Sequence, residues 1–257
     1  MSIQRPFAAA TAASVAVALC LFGAAPLQAK DKKESGGAQL IDFEKLAKVI
    51  KAKGKEQVLD AAELPPIPSS LPGYANPPGI WLPGKRDLVQ QVLKCSDTRC
   101  ALRVMRMVKS GEQVNQEAQV DLPPLPSGVT ELEYLPLSVL DIDGDHKDEL
   151  LVRYRFQKKL GSRAGEATTE MLAVISYPEM SLALLHDLRQ AGREGPEAEC
   201  KYDVARRDVN GDKRIDLQFV HSCQCAAGVD DCHKGPDSPE EYAVGADRRF
   251  VRYFPPK

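Results

Sequence analysis

The chain has 257 residues, 43% of them hydrophobic and 27% charged, with 34 Lys and Arg against 36 Asp and Glu and a formal net charge of −2. That composition suits one or two domains with a proper core and excludes wholesale disorder. It also excludes a basic field for nucleic acid, and with 6% aromatic residues there are few platforms for stacking bases or sugars.

Arg5 precedes an uncharged run from Pro6 to Ala29, densest in apolar residues at Val15–Phe22. A positive start, a short apolar centre and a small-residue finish describe a signal peptide over 1–29, with cleavage expected near Ala29. Leu27 departs from the usual small-residue pattern at the cut. An uncleaved membrane anchor is the competing reading, opposed by Pro6, Pro26 and the many alanines. The mature chain is expected to be periplasmic or secreted, without a transmembrane segment. It keeps six cysteines, Cys95, Cys100, Cys200, Cys223, Cys225 and Cys232, an even count that favours disulfides in an exported protein. Cys95 and Cys100 bracket a four-residue loop and are expected to bridge locally.

Residues 30–84 form an N-terminal region. Phe43, Leu46, Ala47 and Ile50 lie at helical spacing, and Gly54 is expected to end that helix. Its lysines, diluted by Asp42, Glu44 and Glu56, favour docking on the body of the protein over binding to a membrane surface. Six prolines between Pro65 and Gly79 exclude regular structure there and predict an extended spacer, with Trp81 as an apolar anchor after it. From 85 to 257 the chain reads as a β-repeat domain. Leu88, Val89, Val92 and Leu93 suggest a short helix over 85–94. Alternation at Leu102, Val104 and Val108 then predicts strand, up to a proline-marked boundary at 122–126.

The chemistry-bearing signal begins at Asp141-Ile-Asp143-Gly-Asp145-His-Lys147-Asp-Glu149-Leu and returns at Asp208-Val-Asn210-Gly-Asp212-Lys-Arg214-Ile-Asp216-Leu. Both copies lead directly into strand-like runs. Oxygens at loop positions 1, 3 and 5 on a tight turn converge on one point, as a hard cation such as calcium requires. Asp141, Asp143, Asp145 and Glu149 would supply side chains to the first site, and Asp208, Asn210, Asp212 and Asp216 to the second. Lys147 and Arg214 would supply backbone carbonyls. An EF-hand is excluded, because Val152 and Phe219 stand where its closing Glu belongs and no helix follows. A metal-free polar turn is the plain alternative.

The arrangement resembles the calcium loops of FG-GAP/VCBS-type repeats, the β-blades of integrin-like propellers and many secreted bacterial proteins. The resemblance spans about residues 130–257 and rests on the two loops. It implies structural calcium at both sites. Family loops usually carry Gly after the third ligand, where His146 and Lys213 stand here. This departure implies weakened affinity, more so at the second site, with its Asn210 and Lys213.

The expected fold is mainly β: two propeller-blade-like four-stranded antiparallel units, at about 130–190 and 197–257, after a helical and Pro-rich N-terminal region. Two units cannot close a propeller, so paired small sheets, helped by residues 88–121, are expected. Pairing across the second loop would set Cys200 near Cys223 and Cys225, one bridging to Cys200 and the other to Cys232. Zinc held by Cys223, Cys225, Cys232 and His233 is the alternative, disfavoured by spacing and compartment. No catalytic motif surrounds His146, His186, His221 or His233. The expected function is therefore that of an exported calcium-binding protein with a structural role or a protein or surface-glycan partner, and the alternative is a hydrolase with an unrecognised site.

Overall fold

The computed structural model describes residues 38–59, 74–96, 99–110, 113–159, 166–189, 198–225, 227–228 and 239–254. They fall within one contact unit, Gly36–Lys257. The segment 1–29 expected to be a signal peptide, the greater part of the proline-rich stretch, Cys232 and His233 lie outside the described residues.

The described chain opens with β1 (Gln39–Leu40) and α1 (Phe43–Lys53). Asp42 caps α1 by accepting the Lys45 amide at 2.9 Å, satisfying one of the orphan donors of the first turn. Gly54 stops it, as expected, and no other residue fits there. An added Cβ would stand 2.6 Å from the Ile50 carbonyl oxygen and 2.8 Å from that of Trp81. The helix docks through buried Ile50 and half-buried Phe43 and Leu46, while its lysines stay in water.

Three five-stranded antiparallel sheets follow, none closed into a barrel. The first is a meander of β2 (Lys55–Gln57), β3 (Gly79–Trp81), β4 (Asp87–Cys95), β5 (Cys100–Ser110) and β6 (Gln113–Asp121). In the second, β7 (Val129–Tyr134) and β8 (Ser138–Leu140) pair with β9 (Glu149–Lys159), which continues into β10 (Glu166–Ser176) and β11 (Ser181–Arg189). The third runs β12 (Ala198–Arg207), β13 (Asp216–Cys225), β14 (Glu240–Val244) and β15 (Phe250–Tyr253), and β1 adds to its β12 edge with Leu40 opposite Ala205. The mainly β, antiparallel character is as expected, but the sheets of the two repeats have five strands each rather than four. The strand expected over 131–140 is split into β7 and β8, β1 joins β12, and residues 87–121 supply three strands of the additional sheet.

The expected helix over 85–94 is instead strand β4. Its spacing misled because both faces of this strand are covered. Leu88 and Val92 pack with Met105 and Met107 on one face, and Val89 and Leu93 join the main core on the other. Two apolar pairs four residues apart fit a helical face and a doubly buried strand equally. Gln90, also buried, stays in the sheet by donating to the Pro77 carbonyl at 2.8 Å.

The middle sheet is covered on both sides. Leu150, Val152, Tyr154 and Phe156 of β9 pack toward Leu93, Leu102 and Val104 of the first sheet. Leu151, with Leu172 and Val174 of β10, packs toward Val204, Leu217 and Phe219 of the third. Because successive strand residues face opposite ways, β9 had to be apolar at consecutive positions. Ile142, fully buried in the second of these cores, fastens the loop before β9 to it.

Candidate metal centre

The two Asp-rich loops, 141–148 and 208–215, join β8 to β9 and β12 to β13. Their internal hydrogen bonds correspond position by position. In the first loop Asp141 accepts from the amides of Gly144 at 2.8 Å and His146 at 3.1 Å. In the second, Asp208 accepts from Gly211 at 2.7 Å and Lys213 at 2.9 Å. Asp143 accepts from the Asp145 amide as Asn210 does from Asp212, and Asp145 accepts from Lys147 as Asp212 does from Arg214. Glu149 accepts from Ile142 at 2.8 Å, and Asp216 from Val209 at 3.0 Å. Side chains that bind nearby amides make these turns self-organising, so the shape is written into the local sequence.

Each loop twice visits the left-handed region. Gly144 and Gly211 do so without steric cost, at φ of 78° and 82°. His146 and Lys213 do so at 67° and 71°, where a side chain is strained. The backbone of both loops holds this shape at a cost of about 1–2 kcal/mol for each of these two residues.

Three carboxylates in each loop gather their oxygens within 4.8 Å of one another: Asp141, Asp143 and Glu149 in the first, Asp208, Asp212 and Asp216 in the second. The Asn210 side chain stays beside the second group, its Nδ2 donating to Asp212 Oδ2 at 3.1 Å. Asp145 aims its Oδ2 at the Arg248 Nε, 3.2 Å away. Lys147 extends its ammonium toward Glu179, at 3.9 Å, and Arg214 donates to the Val244 carbonyl at 3.2 Å.

Burial sets the electrostatics. Glu149 and Asp216 are almost wholly enclosed. Desolvation pushes the Glu149 carboxyl up to about 7, against the opposing pull of the Ile142 amide and the Arg248 guanidinium. Asp143 and Asp216 are raised as well, chiefly by desolvation and further by their acidic neighbours. Buried carboxylates held this close carry a cost that a divalent cation would offset. The donors are all hard oxygens, and this set suits calcium rather than zinc or copper.

The loops also meet each other. Arg214 of the second reaches Asp143 of the first at 3.5 Å, and Arg206 of β12 donates to the Ile142 carbonyl at 2.9 Å. Arg248, in the turn between β14 and β15, ion-pairs with Glu149, Asp145 and Glu179 together. Sequence reasoning missed Arg206 and Arg248 because no local pattern marks a partner 64 or 99 residues away.

A third group, Cys200, His221 and Cys223, also converges. Its sulfurs are spent, since Cys200 and Cys223 face each other across β12 and β13 and form a disulfide. Cys95 and Cys100 are bridged as expected. Cys225 is disulfide-bonded too, and the expected pairing with Cys232 falls outside the described residues. The thiolates that a zinc site would need at Cys223 and Cys225 are therefore already consumed.

A small groove is lined by His186, Leu188, Tyr202, Asp203, Phe219, Val220, His221 and Glu240. His186 stacks on Phe219 and hydrogen-bonds the Tyr242 hydroxyl at 3.2 Å, which makes it part of the packing. The described lining contains no hydroxymethyl or thiol nucleophile. No known protein family, curated protein or solved structure matches the chain. Among the described residues, no helix is long and apolar enough to cross a membrane.

Proposed function

We propose that this is an exported, calcium-binding β-repeat protein. In this reading the two Asp-rich loops bind structural calcium and stiffen stacked blade-like sheets that present loops or an edge to a partner. The observation that carries the reading is the position-by-position match of the two loops' amide-to-side-chain bonds. Two separate segments use equivalent amides to orient equivalent oxygens, and each gathers three carboxylates, Asp141, Asp143 and Glu149 in one and Asp208, Asp212 and Asp216 in the other. A polar turn needs no such convergence. The resemblance to FG-GAP/VCBS-type repeats supports the same assignment, with Asp141, Asp143, Asp145, Glu149 and the Lys147 carbonyl at one site. Asp208, Asn210, Asp212, Asp216 and the Arg214 carbonyl form the other. Export is supported by the residue pattern of 1–29 and by the disulfides.

The test is thermal unfolding of the full chain in calcium and in EGTA, with bound metal measured by equilibrium dialysis. Calcium is expected to raise Tm, and Asp141→Asn and Asp208→Asn are each expected to remove part of that rise. Asp141 and Asp208 each serve two loop amides through separate oxygens, so asparagine keeps one of the two bonds, and each variant is compared with itself in EGTA to separate a weakened turn from a lost calcium response. Equal melting curves in both buffers, with no calcium retained at millimolar supply, would overturn the reading.

A further inference from the structure

We infer that Arg248 is the first loop's built-in counter-ion, so that calcium must displace its guanidinium to enter that loop and the second loop fills first. The inference rests on the calcium reading of the two loops and goes further in ranking them.

Four carboxylates serve the first loop, Asp141, Asp143, Asp145 and Glu149, against three in the second, Asp208, Asp212 and Asp216. Charge counting alone therefore ranks the first loop as the stronger. The surroundings reverse that order. The Arg248 side chain is only 14% exposed, and its Nε stands 3.2 Å from Asp145 Oδ2 while Nη2 bonds Glu149 Oε1. Glu149 belongs to the converging group, and Asp145 is a ligand in the calcium reading. Arg214 adds a second positive charge, 3.5 Å from Asp143.

The second loop differs at the corresponding place. Asp216 Oδ1 there accepts from a neutral donor, the Val244 amide, at 2.8 Å. Among the described residues no Lys or Arg side chain ion-pairs with Asp208, Asp212 or Asp216. A cation entering this loop displaces no ion-paired guanidinium from its carboxylates, only the neutral Asn210 amide from Asp212 Oδ2, and the loop's own guanidinium, Arg214, bonds the Val244 carbonyl instead.

For the first loop, apparent affinity is the intrinsic affinity scaled by the fraction of molecules in which Arg248 has left. Its departure has a ready end point. Nη1 already contacts Glu179 at 3.3 Å, in the turn between β10 and β11, and that contact can persist when the other two are lost. Arginine suits the role because its rigid planar fork, with five N–H donors, spans several carboxylates in a fixed geometry, whereas lysine offers a single compact ammonium.

Calorimetric titration of the metal-free full chain with calcium chloride tests this. Wild type is expected to show two steps, and Asp208→Asn with Asp212→Asn is expected to remove the tighter one. On that background Arg248→Gln is expected to tighten the remaining step about tenfold, and Arg248→Lys several-fold, within the range usual for coupled sites. Circular dichroism in EGTA checks that each variant folds, and if Arg248→Gln does not, Arg248→Lys alone decides. A remaining step that is unchanged or weaker overturns the inference while leaving the calcium reading intact. So does a tight step that survives Asp208→Asn with Asp212→Asn. Absence of any calcium binding in wild type and variants overturns both.

Discussion

The two Asp-rich loops share a backbone and differ in what neutralises it. Within each loop, five residue pairs repeat the same amide-to-side-chain bonds, and all of them lie within seven residues of one another. Beyond the loop the resemblance ends. The first anchors through Glu149 to the guanidinium of Arg248, the second through Asp216 to the amide of Val244. Local hydrogen bonding copies a shape, whereas the charge inside that shape is set by whatever the tertiary fold brings alongside.

The largest expected effect separates the two anchors. Asp216 is fully buried and both its oxygens accept backbone amides, from Val209 and Val244. Asp216→Asn turns an NH₂ toward one of those donors and is expected to cost about 2–3 kcal/mol in urea unfolding with EGTA present. Glu149→Gln, at the equivalent place, can keep its single backbone bond to Ile142. Burial disfavours both carboxylates, but only Asp216→Asn must give up a buried backbone bond, so the expected cost of Glu149→Gln is smaller. Equal losses for the two would erase the distinction between anchors.

A comparable contrast holds for the disulfides. Cys200–Cys223 spans 23 residues and Cys95–Cys100 spans 5. On chain-entropy grounds, paired Cys→Ala changes are expected to cost about 3 and about 2 kcal/mol respectively. Non-reducing peptide mapping identifies the bridges, and unfolding measurements rank them.

His146→Gly and Lys213→Gly should each stabilise the metal-free protein by up to about 1 kcal/mol, since glycine relieves the left-handed strain at either site. A gain at one loop alone would show that their backbones are less alike than their hydrogen bonds. The smallest effect belongs to a control away from the loops. Arg103 holds the half-exposed Asp121 carboxyl below its usual range, mainly through a direct hydrogen bond. Because the folded-state value is depressed, this contribution is present at neutral pH and fades as the carboxyl protonates. Arg103→Ala is expected to cost under about 1 kcal/mol near pH 7, with the difference shrinking below about pH 4.

Much of this architecture was legible before any coordinates. The loops could be read because their ligands, turn glycines and following strands are neighbours in sequence, and the strands of both repeats because alternation and turn residues recur. Cys95–Cys100 was readable for the same local reason. The strand at Asp87–Cys95 was not, since covering it on two faces made its pattern match a helix. Nor could the pairing of Cys200 with Cys223 rather than Cys225 be read, because it depends on a register that neighbouring residues do not specify.

The sequence by itself determined the shape of each loop, the places where strands start and turn, and the chemical character of the oxygens that converge. Those features arise from bonds between residues a few positions apart, whose energies are settled locally. Tertiary structure decided that the middle sheet is buried on both sides, that the loops face each other through Arg214 and Asp143, and that Arg248 lies among the carboxylates of the first. Such contacts join residues as much as 99 positions apart, and only packing of one sheet on another brings them together.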